Sequence, residues 1–171
     1  NLDAIKFIVN NIKSNQKIII PSTESGYGKT KKNVICDENT PVNPISHYGR
    51  TKLESENLVL SRKNSVVLRL GTVFGISYRF RQDLLVNNLV TRSLDDKKLD
   101  IFEGHYRRNF ISIEDVTDTM IYIINNFNKF KGEIFNVGLG SGNVTKIQLA
   151  KIIKKYIKNL KIIDNKKRKD P

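Results

Sequence analysis

Apolar side chains recur along this chain with two alternating periods. Leu2, Ile5, Ile8, Val9 and Ile12 recur at helical spacing and predict a first helix. The run Lys17-Ile18-Ile19-Ile20-Pro21-Ser22 is short and continuously apolar at its centre, which predicts a buried strand. A loop with Gly26, Gly28, Pro41 and Pro44 follows. Residues 47–60 read as a helix, Val66 to Leu70 as a second buried strand, and Asp83 to Leu94 as a helix. Leu99 to Phe102 and Asn109 to Ile113 predict short strands. Ser112 and Asp115 resemble a helix start, continued by Val116 to Phe127. Glu133 to Val137 predicts a strand, and Thr145 with Gln148 a capping box for a helix reaching about Leu160.

Strands alternating with helices predict an α/β layer fold with a parallel sheet. Ligands of such sheets sit beyond the carboxyl ends of the strands. Residues directly after Ile20, Leu70 and Val137 are therefore the first place to look for chemistry.

Composition narrows the classes. At 171 residues and 39% hydrophobic side chains, the chain is large enough for one globular domain or a piece of a larger one. One cysteine, Cys36, excludes an internal disulfide framework. No apolar run approaches the roughly 18 residues of a membrane span. No secretory leader opens the chain, but it begins at Asn1 rather than Met, so the natural start is expected upstream. The expected location is cytoplasmic.

The net charge of +13 suggests nucleic acid, yet the pattern argues against it. Lysine is spread along the chain, and the aromatics needed for base stacking sit inside apolar runs. The densest basic stretch, Lys151 to Lys169, reads as the solvated face of a helix up to about Lys161 and as a loop or tail beyond it.

Tyr48 and Lys52 stand at i and i+4, on one face of a predicted helix. An ammonium near a phenol favours the phenolate, so Tyr48 is expected to be acidified and to act as a general base. Spacing alone is weak, because Tyr27 and Lys31 share it. Tyr27 lies between two glycines in a turn, whereas Tyr48 opens a periodic helix.

Together with their surroundings these residues resemble the extended short-chain dehydrogenase/reductase family, the NAD-dependent nucleotide-sugar epimerases and dehydratases. The matching motifs run in order through nearly the whole chain. They are Ser22-Thr23-x-x-x-Tyr27-Gly28, then Glu38-x-x-Pro41, then Pro44-x-x-x-Tyr48-Gly49-x-x-Lys52-x-x-x-Glu56. Leu68 to Gly75, Arg108 to Asp115 and Phe135-Asn136-Val137-Gly138 follow. The 25 positions between Thr23 and Tyr48 match the long gap of the extended type.

The resemblance implies the fold and the roles. The fold is the C-terminal part of a Rossmann-like parallel sheet plus a small mixed α/β substrate-binding region. Residues 1–75 form the rear of the NAD-binding domain, and 76–171 mainly the substrate region, with 108–140 returning to the sheet. Thr23 would hydrogen-bond the sugar hydroxyl, Tyr48 would take its proton, and Lys52 would hold the nicotinamide ribose and keep Tyr48 acidic. Ser22 and Leu70 join Tyr48 and Lys52 on the cofactor side. Thr72, Asp83, Asn87 and Arg108 belong to the substrate side, Arg108 on the diphosphate with Arg107 beside it. Glu24 stands where dehydratases begin an Asp-Glu acid–base pair, but Ser25 replaces the second carboxylate, which favours epimerase-type members. The implied cofactor is NAD in preference to NADP, the partner a nucleotide sugar, and the full-length state a homodimer.

Other features carry less. Gly138-Leu139-Gly140-Ser141-Gly142 suggests a phosphate loop but lacks the spaced third glycine of a dinucleotide fingerprint. His47 and His105 have no metal-ligand spacing, and Cys36 has no nearby base. The family's Gly-x-x-Gly-x-x-Gly turn and first strands are missing from the sequence. This predicts a chain that binds NAD weakly by itself, an inactive fragment of a longer enzyme. A non-catalytic scaffold or regulator of the same fold is the alternative.

Overall fold

A computed structural model describes residues 2–30 and 34–165. Its helices are α1 (Leu2–Asn11), α2 (His47–Leu60), α3 (Leu85–Asp95), α4 (Ile113–Asn125), α5 (Phe127–Phe130) and α6 (Lys146–Tyr156). Its strands are β1 (Ile18–Thr23), β2 (Ser65–Leu70), β3 (Thr72–Phe74), β4 (Lys98–Phe102), β5 (Arg107–Ser112), β6 (Glu133–Val137), β7 (Asn143–Thr145) and β8 (Lys161–Asn165). The chain divides into two compact units, 1–71 with 117–137 and 72–116 with 138–171.

The first unit is built on a parallel sheet of order β1-β2-β6. Register places Thr23 beside Leu70 and Leu70 beside Val137, so the three strands end together. Ile18, Ile20, Val59 and Val67 form its core, with Ile5 and Val9 of α1 and Ile12 just after it packed against them. Residues 65–69 of β2 are buried without a break, which is why the strand reads as a continuous run.

The second unit holds two sheets. β5 pairs parallel with β3 and antiparallel with β7, and β4 pairs parallel with β8. Val86, Leu89, Leu99, Ile101, Phe110, Leu149 and Ile153 form its core. Parallel pairing and a mixed region both appear, as the expected fold class requires.

Several boundaries depart from the sequence reading. α3 begins at Leu85, so Asp83 precedes the helix. Leu84 donates its backbone N–H to Arg81, a turn that delays the helix start. The helix over 116–127 is broken at Asn126, and α5 follows as a separate turn. α6 ends at Tyr156 rather than Leu160. Ile157 and Leu160 still enter the core, but from a turn in which Asn159 is left-handed at φ +62°. Residues 161–165, expected as loop or tail, form β8 because β4 offers them a free parallel edge. The remainder of that basic tail, 166–169, lies outside the described residues, as does Lys31.

Candidate active site

The site is best followed from β1. Its last residues, Ser22 and Thr23, stand at the carboxyl end of the parallel sheet. Thr23 then caps a single 3-10 turn, Glu24–Tyr27. Its hydroxyl oxygen accepts the Ser25 N–H at 3.2 Å and lies 2.5 Å from the Ser25 hydroxyl. Gly28 closes the turn at φ +68°, where an added Cβ would lie 1.9 Å from the Asn43 carbonyl.

α2 brings the second group. Ser46 caps it, accepting the Gly49 N–H at 3.0 Å. Tyr48, Lys52 and Glu56 follow at i, i+4 and i+8 and share one face. Tyr48 is half exposed, and Glu56 at the far end of the same face is fully buried. Between them, Lys52 donates from Nζ to the Pro21 carbonyl at 3.0 Å, which ties the helix to β1.

Thr23, Glu24, Tyr48, Lys52, Ser22 and Leu70 thus all belong to the first unit. Two of them differ from expectation in what their side chains do. Ser22 is buried and donates its hydroxyl to Glu56, so that hydroxyl faces the protein rather than a cofactor. Tyr48 is not acidified. Burial pushes its phenol above the ordinary tyrosine value. The Lys52 ammonium lies 5.9 Å from the centroid of the ring rather than against the phenol oxygen, so desolvation outweighs it.

Lys52 itself is drawn below the usual lysine value by burial, with the Glu56 charge acting in the opposite direction. Glu24 is raised to about 7 by burial, so at neutrality it holds its proton about half the time. The same loss of water, together with the charges of Glu24 and Asp37, pushes the Cys36 thiol up and away from nucleophilic use.

The remaining predicted residues lie in the second unit. Thr72 opens β3 and is half buried. Asp83 forms an exposed ion pair with Arg81 at 2.6 Å. Asn87 is buried with both ends of its amide in use: it accepts the Gly75 N–H at 3.2 Å and donates to the Arg81 carbonyl at 3.0 Å. Arg108 is exposed on β5, and its neighbour Arg107 donates to the Asn143 carbonyl.

The glycine run over 138–142 has a packing explanation. The Asn109 amide pairs with both backbone groups of Leu139, at 2.8 and 3.2 Å. A Cβ on Gly138 would lie 2.4 Å from the Asn109 side chain, and one on Gly142 would lie 2.1 Å from the Phe110 carbonyl. Gly138 and Gly142 are required because the chain passes close to β5 there, whereas Gly140 faces open space.

Sequence reasoning gave no role to Arg69. It lies buried in β2 and forms a forked pair with Glu56, Nη2 to Oε2 at 2.7 Å. It also donates from Nη1 to the Tyr27 hydroxyl at 3.0 Å. The signal was present in the run Val66-Val67-Leu68-Arg69-Leu70, since a charge inside a buried strand requires a partner. Among the described residues, no group of three or more His, Cys, Asp or Glu side chains is placed to hold a metal.

Known proteins resemble this chain in sequence and fold. The model of the NAD dependent epimerase/dehydratase family matches residues 2–138. The uncharacterized UDP-glucose epimerase YtcB of Bacillus subtilis (strain 168) is 35% identical over 129 residues, covering 72% of this chain and 39% of that protein. The UDP-glucose 4-epimerase of Lactobacillus helveticus is 28% identical over 146 residues, covering 73% of this chain and 44% of its own length. Among solved structures, UDP-glucuronic acid 4-epimerase from Bacillus cereus, in complex with UDP-glucuronic acid and NAD, superposes with a TM-score of 0.78 at 28% identity. That match covers 96% of this chain and 52% of that one. The NAD-dependent NDP-hexosamine 5,6-dehydratase TunA shares the fold at a TM-score of 0.82 and 22% identity, covering 98% of this chain and 56% of its own. The chain spans about half the length of these relatives or less. With the family pattern running from α1 through β6, the chain belongs to the NAD-dependent epimerase/dehydratase family.

Proposed function

We propose that this chain carries the active-site helix and much of the substrate side of an NAD-dependent nucleotide-sugar epimerase. The observation that carries the reading is the placement of Thr23, Tyr48 and Lys52 in one unit, with Lys52 bonded to β1 just ahead of Thr23. Hydroxyl, phenol and ammonium at the carboxyl end of a parallel strand suit a ligand that presents sugar hydroxyls.

The donor set also fits a dinucleotide ribose. The Lys52 ammonium has three N–H groups, and the Pro21 carbonyl occupies one. NAD, when bound, would supply the hydride-transfer chemistry. The chain supplies the rest. Lys52 holds the ribose, the Thr23 hydroxyl bonds the sugar hydroxyl, and Tyr48 takes that hydroxyl's proton and gives it back. Ser25 bonded to Thr23, where a dehydratase has its second carboxylate, favours epimerisation over water loss. Glu24, poised near neutrality, is the remaining acid–base group.

In this reading residues 1–75 belong to the cofactor domain and most of 76–171 to the substrate side. Arg108 meets the diphosphate with its fork of donors. Thr72 stands ready for a sugar hydroxyl. Asp83 and Asn87 shape the segment between β3 and α3, Asn87 through the backbone it holds. The whole enzyme is a homodimer that acts in the cytoplasm, and this chain by itself binds NAD weakly.

The test is the full-length protein with NAD and UDP-glucose, with product followed by proton NMR. Appearance of the 4-epimer, abolished by Tyr48→Phe, supports the reading. Tight binding of NAD and nucleotide sugar with no turnover would favour the second reading, a non-catalytic binding protein. The raised Tyr48 phenol is the observation on that side.

A further inference from the structure

Glu56 lies on the same face of α2 as Tyr48 and Lys52, but it is sealed in the protein at 1% exposure, with Arg69 at 5%. A charge pair so far from water is costly unless its geometry is good and its remaining valences are filled. Here they are filled. Both Glu56 oxygens accept from Arg69 Nε, at 3.2 and 3.1 Å, and Oε2 also accepts from Nη2 at 2.7 Å. Oε1 accepts the Ser22 hydroxyl from β1. The fork of Arg69 has one further use: Nη1 donates to the Tyr27 hydroxyl, which donates onward to the Asn136 amide oxygen on β6 at 2.7 Å. Asn136 in turn binds the loop before α2, its N–H donating to Glu38 at 2.7 Å and its amide to the Cys36 carbonyl at 3.4 Å.

Every segment that carries or frames the catalytic set is therefore held by one polar network inside the first unit. We propose that Glu56, fixed by Arg69, is a positioning residue for Lys52 and Tyr48: it locks α2 against the end of β1 and supplies the negative charge one turn behind the lysine. This rests on the reading of Tyr48 and Lys52 as the reactive pair. An apolar pair of similar volume would pack the same space at lower desolvation cost, so packing alone does not account for charges here. The charged groups around the network are limited. Lys52 and Tyr48 share the helix with Glu56, β2 contributes Arg69, the 3-10 turn contributes Tyr27, the loop before α2 contributes Glu38 through Asn136, and β1 presents the neutral Pro21 carbonyl and Ser22 hydroxyl. Of these charges, Glu56 is the one that acts to keep Lys52 protonated.

The experiment titrates Lys52 in the full-length protein by NMR of isotope-labelled lysine Cε, the resonance being assigned by its loss in Lys52→Arg. In Glu56→Gln, which keeps the shape but removes the charge and turns one acceptor oxygen into a donor, Lys52 is expected to deprotonate at lower pH. Turnover is expected to fall about tenfold or more with KM changed less than about threefold, the signature of a lost orienting interaction. A folded Glu56→Gln whose Lys52 titrates as in the wild type overturns the proposal. If Glu56→Gln does not fold, the double variant Glu56→Leu with Arg69→Met removes both buried charges and restores an apolar contact. Lys52 must still titrate lower in it, and a wild-type titration there overturns the proposal equally. Lack of turnover by the wild-type protein would sink the enzymatic reading and leave the titration to decide this one.

Discussion

The Nζ of Lys52 bonds the carbonyl of Pro21, two positions ahead of Thr23, across 31 positions of sequence. That contact ties α2 to β1, the strand that ends in Thr23. It also leaves the ammonium two further N–H groups.

The first prediction follows from Tyr48. Its phenol is pushed up by burial, so it is protonated at neutrality and its basic form grows as pH rises. With the full-length enzyme, kcat/KM should climb on the alkaline side of neutrality until Lys52, drawn down by burial, loses its charge. Tyr48→Phe should reduce kcat by about 10²–10⁴-fold and abolish the rising limb. A pH–rate profile of both proteins checks this; an unchanged limb in the variant would remove Tyr48 from the role of base.

Glu24 gives a prediction about stability. Its carboxyl stands at about 7 in the folded chain against an ordinary 4.5. Between those values the folded state holds a proton that the unfolded state has released. The Glu24 contribution is therefore fully present below about pH 4.5 and is lost as pH rises through about 7. Denaturant midpoints should fall over that window, and Glu24→Gln should flatten the fall. A wild-type curve with the same slope as the variant would contradict the burial of this carboxyl.

Asn87 holds two backbone groups on the segment between β3 and α3. Asn87→Ala leaves a donor and an acceptor without their partner and should destabilise the fold by about 1–3 kcal/mol. Asn87→Asp keeps the acceptor toward Gly75 and sets a second oxygen against the Arg81 carbonyl, so it should be no better. Thermal unfolding of the three proteins decides it.

The glycine run gives a contrast between neighbours. Gly142→Ala forces a Cβ to 2.1 Å from the Phe110 carbonyl, whereas Gly140→Ala meets nothing within 4 Å. The first should lose about 1–3 kcal/mol, as overpacked sites do, and the second should change little. Equal effects in thermal melts would mean that the run serves something other than close passage along β5.

Much of this was legible from local pattern. A helix over 47–60 follows from apolar spacing and the serine before it, because capping and periodicity are properties of adjacent residues. Thr145 with Gln148 forms the capping box its spacing predicts. The strand at 161–165 was not legible, since Lys161 to Asn165 alternates weakly and forms a strand only because β4 offers an edge. The end of α6 was missed for a related reason: Ile157 and Leu160 keep the helical period in sequence while reaching the core from a turn.

The sequence by itself determined the alternating elements and the family, because helix period, strand run and motif spacing are written in neighbouring residues. Tertiary structure decided what each polar group answers to. Arg69 finds Glu56 13 positions away, Ser22 finds the same carboxylate 34 positions away, and Tyr27 finds Asn136 across 109. Those pairings exist only once β1, β2, β6 and α2 are packed together. A buried charge announces that it needs a partner, and only the fold brings one within reach.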